Sequence, residues 1–108
     1  MANPISEGAA LGTSFTTVYT AGDNGGTWAQ ITQIQVANVD GSNDATVTVA
    51  RNDTSAATDF HLAYQVNVAA GDSITVVSGG LVLENGDSIK ALASAASDLE
   101  INVSGIEE

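Results

Sequence analysis

The stretch FHLAYQVNV, residues 60–68, alternates apolar and polar side chains with a period of two. Successive side chains of a β-strand point to opposite faces of a sheet, so this alternation predicts a strand with one buried face. The side chains expected to point inward are Phe60, Leu62, Tyr64, Val66 and Val68. Those expected to point outward are His61, Ala63, Gln65 and Asn67.

Short runs rich in Val, Ile, Thr and Tyr recur along the whole chain, separated by clusters of Gly, Asn, Asp and Ser. This spacing is typical of an all-β protein. It predicts a single antiparallel β-sandwich of about eight strands, jelly-roll-like or Ig-like, over residues 1–108, with 1–12 as an extended N-terminal arm. The expected strands are 15–20, 29–39, 45–51, 60–68, 73–78, 81–83, 88–93 and 99–103.

The apolar positions of these strands define a predicted core. In the strand 29–39 the apolar phase slips between Ile31 and Ile34, which predicts a bulge there. Two related turns, 69–72 and 84–87, each contain a glycine able to adopt positive φ, and they are expected at one end of the sandwich, with Asn85-Gly86 forming a hairpin. The expected core residues are Val36, Val47, Val49, Leu62, Tyr64, Val66, Ile74, Val76, Leu83, Ile89, Leu99 and Ile101.

The predicted strands carry almost no charged side chains on either face. Asp, Glu, Lys and Arg make up 14% of the chain, against about 25% in an ordinary soluble domain. Neutral polar groups cost far less to bury than charges, so the outward strand faces are expected to pack against other protein. The residues predicted to form this interface are Trp28, Gln33, Gln35, Thr46, Thr48, His61, Gln65 and Asn67.

The net charge of −11 limits the choice of partner. Arg51 and Lys90 are the only basic side chains apart from the single histidine. Binding to nucleic acid or to an anionic membrane surface requires many Lys and Arg side chains, so neither is expected. The start of the chain has no basic and apolar signal-peptide pattern, and there is no cysteine for a disulfide or thiolate site.

No residue pattern predicts catalysis or a cofactor. Ser73 and Ser88 follow Gly-Asp in turns, and the single histidine, His61, is predicted on a strand face with nothing to place it near either serine. The loop containing Asp40, Asn43 and Asp44 has oxygen ligands suited to Ca²⁺, but its spacing is not that of an EF-hand, and turn formation explains the same residues. No bound metal is expected. Trp28 could also serve as a sugar-stacking platform.

Five segments, in this order, resemble small virion proteins of tailed bacteriophages. They are TVYT at 17–20, IQVAN at 34–38 followed by Asp40-Gly41, ATVTV at 45–49, VAAGDSI at 68–74, and GLVLENGDSIK at 80–90 followed by ASA at 93–95. The resemblance extends over about residues 13–103. The Gly22–Gly26 loop departs from it, because the similar proteins often have a proline-containing turn there.

The resemblance implies a non-enzymatic virion structural protein, made in the host bacterial cytoplasm. Its expected role is capsid decoration: a cement protein that forms a homo-oligomer, a trimer by analogy, and clamps neighbouring subunits of the major capsid protein. A neck or tail component, such as a collar, connector or fibre-attachment protein, is the alternative. A carbohydrate-binding β-sandwich module is a third possibility from another functional class.

Overall fold

The computed structural model describes residues 3–108, and Met1 and Ala2 lie outside the described residues. The described chain is all-β, with eight strands and no helix. The strands are β1 (Asn3–Ala10), β2 (Thr16–Thr20), β3 (Trp28–Asn38), β4 (Ala45–Asp53), β5 (Thr58–Val68), β6 (Ser73–Glu84), β7 (Ser88–Ala93) and β8 (Leu99–Glu107).

The strands form two four-stranded antiparallel sheets that pack face to face. The first sheet has the order β1-β8-β3-β6 and the second β2-β7-β4-β5. The pairs β1–β8, β2–β7, β3–β6 and β4–β5 are nested, as if one long hairpin had been rolled up. The sequence predicted either a jelly-roll-like or an Ig-like sandwich, and this nesting is that of a jelly roll.

The expected number of strands is correct, but two assignments differ. Residues 3–10, which fall in the predicted arm, form β1 and pair with β8 along the edge of the first sheet. Residues 73–84, predicted as two strands, form the single strand β6. Gly79 has φ 107° where the predicted break falls, and the β3–β6 register shifts there opposite Ile31 and Gln33. The same shift confirms the bulge predicted in β3, which also appears in its pairing with β8.

Two related turns of the sequence lie at opposite ends of the sandwich, and the prediction that they share one end is wrong. Each closes with a backbone hydrogen bond, from Asp72 N–H to Ala69 O and from Asp87 N–H to Glu84 O. The first connects β5 to β6 and the second β6 to β7, so both cross between the sheets. The Asn85-Gly86 pair therefore forms a crossover turn and no hairpin.

Most of the predicted core is buried between the sheets, and the main error concerns β5. Val36, Val47, Val49, Leu83, Ile89, Leu99 and Ile101 are all buried. Leu62, Ile74 and Val76 are half-buried, whereas Tyr64 is 64% and Val66 39% exposed. The cause is that β5 is an edge strand whose register against β4 shifts twice, between Val47 and Val49 and again before Ala50. These bulges interrupt the alternation on which the prediction relied.

Candidate functional site

The eight predicted interface residues lie on two opposite faces of the sandwich. Trp28, Gln33 and Gln35 belong to β3 in the first sheet, where Trp28 is 40% exposed and Gln33 is also exposed. Thr46 and Thr48 belong to β4, and His61, Gln65 and Asn67 to β5, in the second sheet. One flat partner cannot contact both groups. An interface that uses all of them requires at least two neighbouring chains.

The structure corrects the expected exposure of Thr48. Thr48 is only 5% exposed although its strand position faces outward. Its hydroxyl accepts a hydrogen bond from the backbone N–H of Gln65 at 3.1 Å, and Gln65 has φ 50° at the bulge of β5. The bulged edge strand therefore occupies the space that Thr48 was expected to offer to a partner, while Gln65 is exposed.

An aromatic–basic patch, formed by Phe15, His61, Tyr64 and Lys90, covers the outer face of the second sheet. The His61 and Tyr64 rings meet edge to face, 5.2 Å apart, and Phe15 lies 6.5 Å from His61 with the Lys90 ammonium 5.2 Å from its centroid. Ala50 pairs with His61 on one side and Lys90 on the other, yet it is fully buried. Phe15 lies close to one residue on each flanking strand, His61 on β5 and Lys90 on β7.

A second aromatic–cation contact involves Phe60, the residue before His61 on β5. The Arg51 guanidinium is 5.4 Å from the centre of the Phe60 ring, and Phe60 is 47% exposed. Both strongly basic residues of the chain therefore contact exposed aromatic rings near β5. Lys90 also lies 3.5 Å from a carboxylate oxygen of Asp59. A hydrogen bond from the Asn52 amide, together with the charge of Lys90, lowers the pKa of Asp59.

The loop that offers candidate calcium ligands directs its carboxylates towards the protein's own donors. Asp40 accepts hydrogen bonds from the N–H groups of Ser42 at 2.8 Å and Asn43 at 3.3 Å, and from the Asn43 side-chain amide at 3.2 Å. The backbone bond from Ser42 and the side-chain bond from Asn43 lower the pKa of Asp40. Asp44 accepts from Ala70 N–H at 3.0 Å. Calcium binding by Asp40, Asn43 and Asp44 stays a hypothesis.

Glu107 is a buried carboxylate that the sequence analysis did not single out. It accepts hydrogen bonds from the Tyr19 hydroxyl and from the N–H groups of Gly22 (3.3 Å), Asn24 (3.1 Å) and Gly26 (2.8 Å). Burial alone would raise the pKa of Glu107, but the bonds from Tyr19 and the backbone N–H groups outweigh it and lower the pKa. The carboxylate thus fastens the β2–β3 loop to β8.

The approach of the loop to Glu107 requires glycine at position 26. A Cβ atom there would lie 2.7 Å from the Cβ of Glu107. A signal for the buried carboxylate existed in the sequence. Leu99, Ile101 and Val103 alternate inward along β8, and continuing that period of two places Glu107 inward as well.

A second buried carboxylate, Asp87, joins two loops at one end of the sandwich. It accepts hydrogen bonds from Thr54 N–H at 3.0 Å and Glu84 N–H at 3.1 Å, and Arg51 lies 4.0 Å away. Oxygens of Asp53, Glu84 and Asp87 lie within 4.8 Å of one another, a spacing that could hold a cation. Both oxygens of Asp87 already accept backbone hydrogen bonds, an arrangement typical of a structural carboxylate.

The candidate catalytic residues of the sequence are not brought together. His61 contacts Phe15 and Tyr64 in the second sheet, whereas Ser73 lies in the first sheet, where its hydroxyl accepts a 3.4 Å bond from Gln35. Ser88 is buried on β7, and no hydrogen bond among the described residues joins it to His61.

A shallow depression of about 300 Å³ lies over β1 and β8, lined by Gly8, Ala9, Ala10, Glu100, Ile101 and Asn102.

Comparison with known proteins supports the fold and gives no family. No family model matches the sequence, and no curated protein matches it. Among solved structures, the chain is similar to one from Bacillus endospore appendages, described as a novel family of disulfide-linked pili. The TM-score is 0.53 at 13% identity, covering 98% of this chain and 84% of the other. At this identity the similarity shows a shared fold alone.

The described residues contain no helix long and apolar enough to cross a membrane.

Proposed function

We propose that this protein is a non-enzymatic structural subunit that packs against other protein chains. The observation that carries the proposal is the exposure of Trp28, Phe60 and Tyr64 on both sheets of a sandwich whose strands have little charge. Large exposed aromatic side chains are the residues that most often dominate binding energy at protein interfaces. A free-standing domain would carry Lys and Glu at such positions.

The neutral polar residues around these aromatic side chains support the same role. Gln33, Gln65 and Asn67 are exposed, and their amide groups can exchange hydrogen bonds with water for bonds with a partner. Each such bond contributes about 1 kcal/mol once made, and none leaves a buried charge behind. A specific contact requires about 1,000 Å² of total buried area, which a sandwich face of this size can supply.

We propose further that the assembly is a tailed-bacteriophage virion and that the protein decorates its capsid shell. This step rests on the sequence resemblance of residues 13–103 to small virion proteins. In this role the protein forms a homo-oligomer, a trimer by analogy, and binds the major capsid protein. Placement in the neck or tail is the alternative within the same class.

Two other functions each have an observation in their favour. The jelly-roll fold shared with a Bacillus endospore pilus chain favours a subunit of a surface appendage. Disulfide linkage cannot join copies of these 108 residues, which contain no cysteine. The exposed aromatic rings also favour a carbohydrate-binding module. However, Lys90 lies over one face of Phe15, and His61 packs edge to face with Tyr64, so Phe15 and Tyr64 do not form a flat platform.

The experiment is to isolate particles from the source cells on a density gradient and to count and locate this chain by quantitative mass spectrometry and cryo-electron microscopy. Decoration predicts hundreds of copies per particle, on the shell. A few dozen copies or fewer in a neck or tail ring would contradict decoration and retain the virion role. Recovery only from cell-surface fibres would favour the appendage. Recovery only as a free chain that binds polysaccharide would contradict a structural role.

A further inference from the structure

The charges of this acidic chain are distributed unevenly over its surface. Arg51 and Lys90, the only Lys or Arg side chains, both contact exposed aromatic rings beside β5. The charged side chains at one end of the sandwich are all carboxylates: Asp40, Asp44, Asp72 and Asp98. Together with Val39 they form the acidic end. The aromatic–basic patch, which contains Lys90, and this acidic end are complementary surfaces on the same chain.

The acidic end is a single connected surface. Val39 N–H donates to Asp98 O at 2.8 Å, Gly71 N–H donates to Asp40 O at 3.1 Å, and the Asp44 carboxylate accepts from Ala70 N–H at 3.0 Å. Three loops are therefore tied together. Val39 is 54% exposed among these carboxylates, so the acidic end offers an apolar side chain surrounded by negative charge.

We propose that the aromatic–basic patch of one copy binds the acidic end of a second copy, so that copies of this chain associate head to tail. The inference rests on the proposed function as an assembling subunit and specifies which surfaces join. Val39 of one copy packs on the rings of Phe15 and Tyr64 of the next. Lys90 of that copy faces the carboxylates around Val39.

Two features of the charge pattern disfavour a contact of the patch with itself. A two-fold contact joins the same patch on both copies, so it would enclose two Lys90 ammonium groups in one interface. It would also leave the carboxylates of the acidic end without a partner. Asp59 neutralises part of the Lys90 charge within the copy, at 3.5 Å, so the aromatic rings carry much of the contact. A head-to-tail contact either closes into a ring, such as the trimer expected by analogy, or continues as a filament.

The test is sedimentation velocity of the purified protein across a wide concentration range at low and high salt. The wild-type chain should associate reversibly at a salt concentration high enough to screen the repulsion between two chains of net charge −11. Tyr64→Ser, which removes an exposed ring without changing charge, and the charge reversals Lys90→Glu and Asp72→Lys should each weaken association at least about tenfold. Gln33→Glu, on the opposite sheet, is the control and should leave association unchanged.

Mixing the two charge-reversal variants gives the most specific result. Lys90→Glu chains retain an intact acidic end and Asp72→Lys chains an intact patch, so a mixture should form a two-chain species that neither variant forms alone. A monomeric wild-type chain, an unaffected Tyr64→Ser variant, or a mixture that stays monomeric would overturn the inference. A monomeric chain still found on native particles would overturn this inference alone, whereas a chain absent from every particle would overturn the proposed function.

Discussion

The Tyr19 hydroxyl donates a hydrogen bond to the carboxylate of Glu107, 88 residues along the chain and on the opposite sheet. Tyr19 lies on β2 and Glu107 at the end of β8, so this bond joins the two sheets at one end of the sandwich. Both side chains are buried, and three backbone N–H groups of the β2–β3 loop complete the environment of the carboxylate. The relationship fixes the end of the fold on which Trp28 is exposed.

Replacing Tyr19 by Phe should lower the free energy of unfolding by about 2 kcal/mol, because a buried hydrogen bond to a charged acceptor is lost while the ring is retained. Urea unfolding followed by circular dichroism measures this change. Tyr64→Phe, at the exposed tyrosine, is the matched control and should have little effect. Equal stability of the Tyr19→Phe variant and the wild type would show that the bond contributes nothing.

The wild-type fold should lose stability on acidification in a way that depends on Glu107. The pKa of Glu107 is lowered in the folded state, so its contribution is present above the unfolded value of about 4.3 and is lost as the pH falls through the folded pKa. The lowered pKa values of Asp40, Asp53 and Asp59 act in the same direction. A Glu107→Gln variant should therefore be less stable at neutral pH and show a shallower loss below about pH 4.3.

The neighbouring Glu108→Gln variant is the control for this titration, since Glu108 is exposed. Its unfolding free energy should follow the wild-type pH profile. Identical acid profiles for Glu107→Gln and the wild type would contradict the role assigned to this carboxylate.

Stability of the wild type should also fall above about pH 10. Burial, together with the hydrogen bond to Glu107 and its charge, raises the pKa of Tyr19 in the folded state, whereas an unfolded tyrosine ionises near pH 10.

A lysine at position 48 should damage the fold, whereas a lysine at position 65 should leave it intact. Thr48 is buried under the β5 bulge, so Thr48→Lys places a charge in a space without a partner and should cost several kcal/mol. Gln65 is exposed, and Gln65→Lys should unfold at the wild-type temperature. Thermal unfolding of the two variants decides the matter, and a stable, folded Thr48→Lys protein would mean that this side chain is accessible after all.

Calcium should not alter the stability of the protein. The carboxylates of Asp40 and Asp44 are already engaged by N–H donors of their own loops, and those of Asp87 by Thr54 and Glu84. The melting temperature should therefore be the same in excess Ca²⁺ and in excess EDTA. A higher melting temperature in Ca²⁺ than in EDTA would contradict this prediction. If the increase were absent in the Asp40→Asn variant, the ion would lie at the loop of Asp40, Asn43 and Asp44. If it were absent in Asp53→Asn, the ion would lie at the group formed with Glu84 and Asp87.

The sequence predicted the sandwich because strand alternation and turn residues are local signals. It even predicted the bulge near Ile31, since a bulge leaves a visible slip in the apolar phase. The bulges of β5 left no such slip, because residues 60–68 alternate without interruption. Their cause lies outside the strand, in the edge position of β5 and the pairing of Thr48 with the Gln65 backbone. The sequence therefore predicts Tyr64 in the core and Phe60 on the inward face, whereas both are exposed.

The sequence predicted which kinds of residue form the candidate site, but it did not predict which of them lie together. The scarcity of charge on the strands indicated surfaces made for packing, but which residues share a face depends on the order of strands in the sheets. Phe15 and His61 are 46 positions apart, and their rings meet because the order β2-β7-β4-β5 brings the residue before β2 and a residue of β5 to the same sheet. Glu107 was missed because a glutamate is seldom fully buried unless the fold supplies partners for its carboxylate.

The central claim, that the outer faces of this sandwich are buried by other chains, is tested most directly by hydroxyl-radical footprinting with mass spectrometry. Oxidation of Trp28, Phe60 and Tyr64 is compared between the purified chain and the same chain in its native particle, with the buried Tyr19 as an internal reference. The account predicts strong protection of Tyr64 and at least one of the other two in the particle, and no change at Tyr19. Equal oxidation of all three exposed residues in both samples would contradict it.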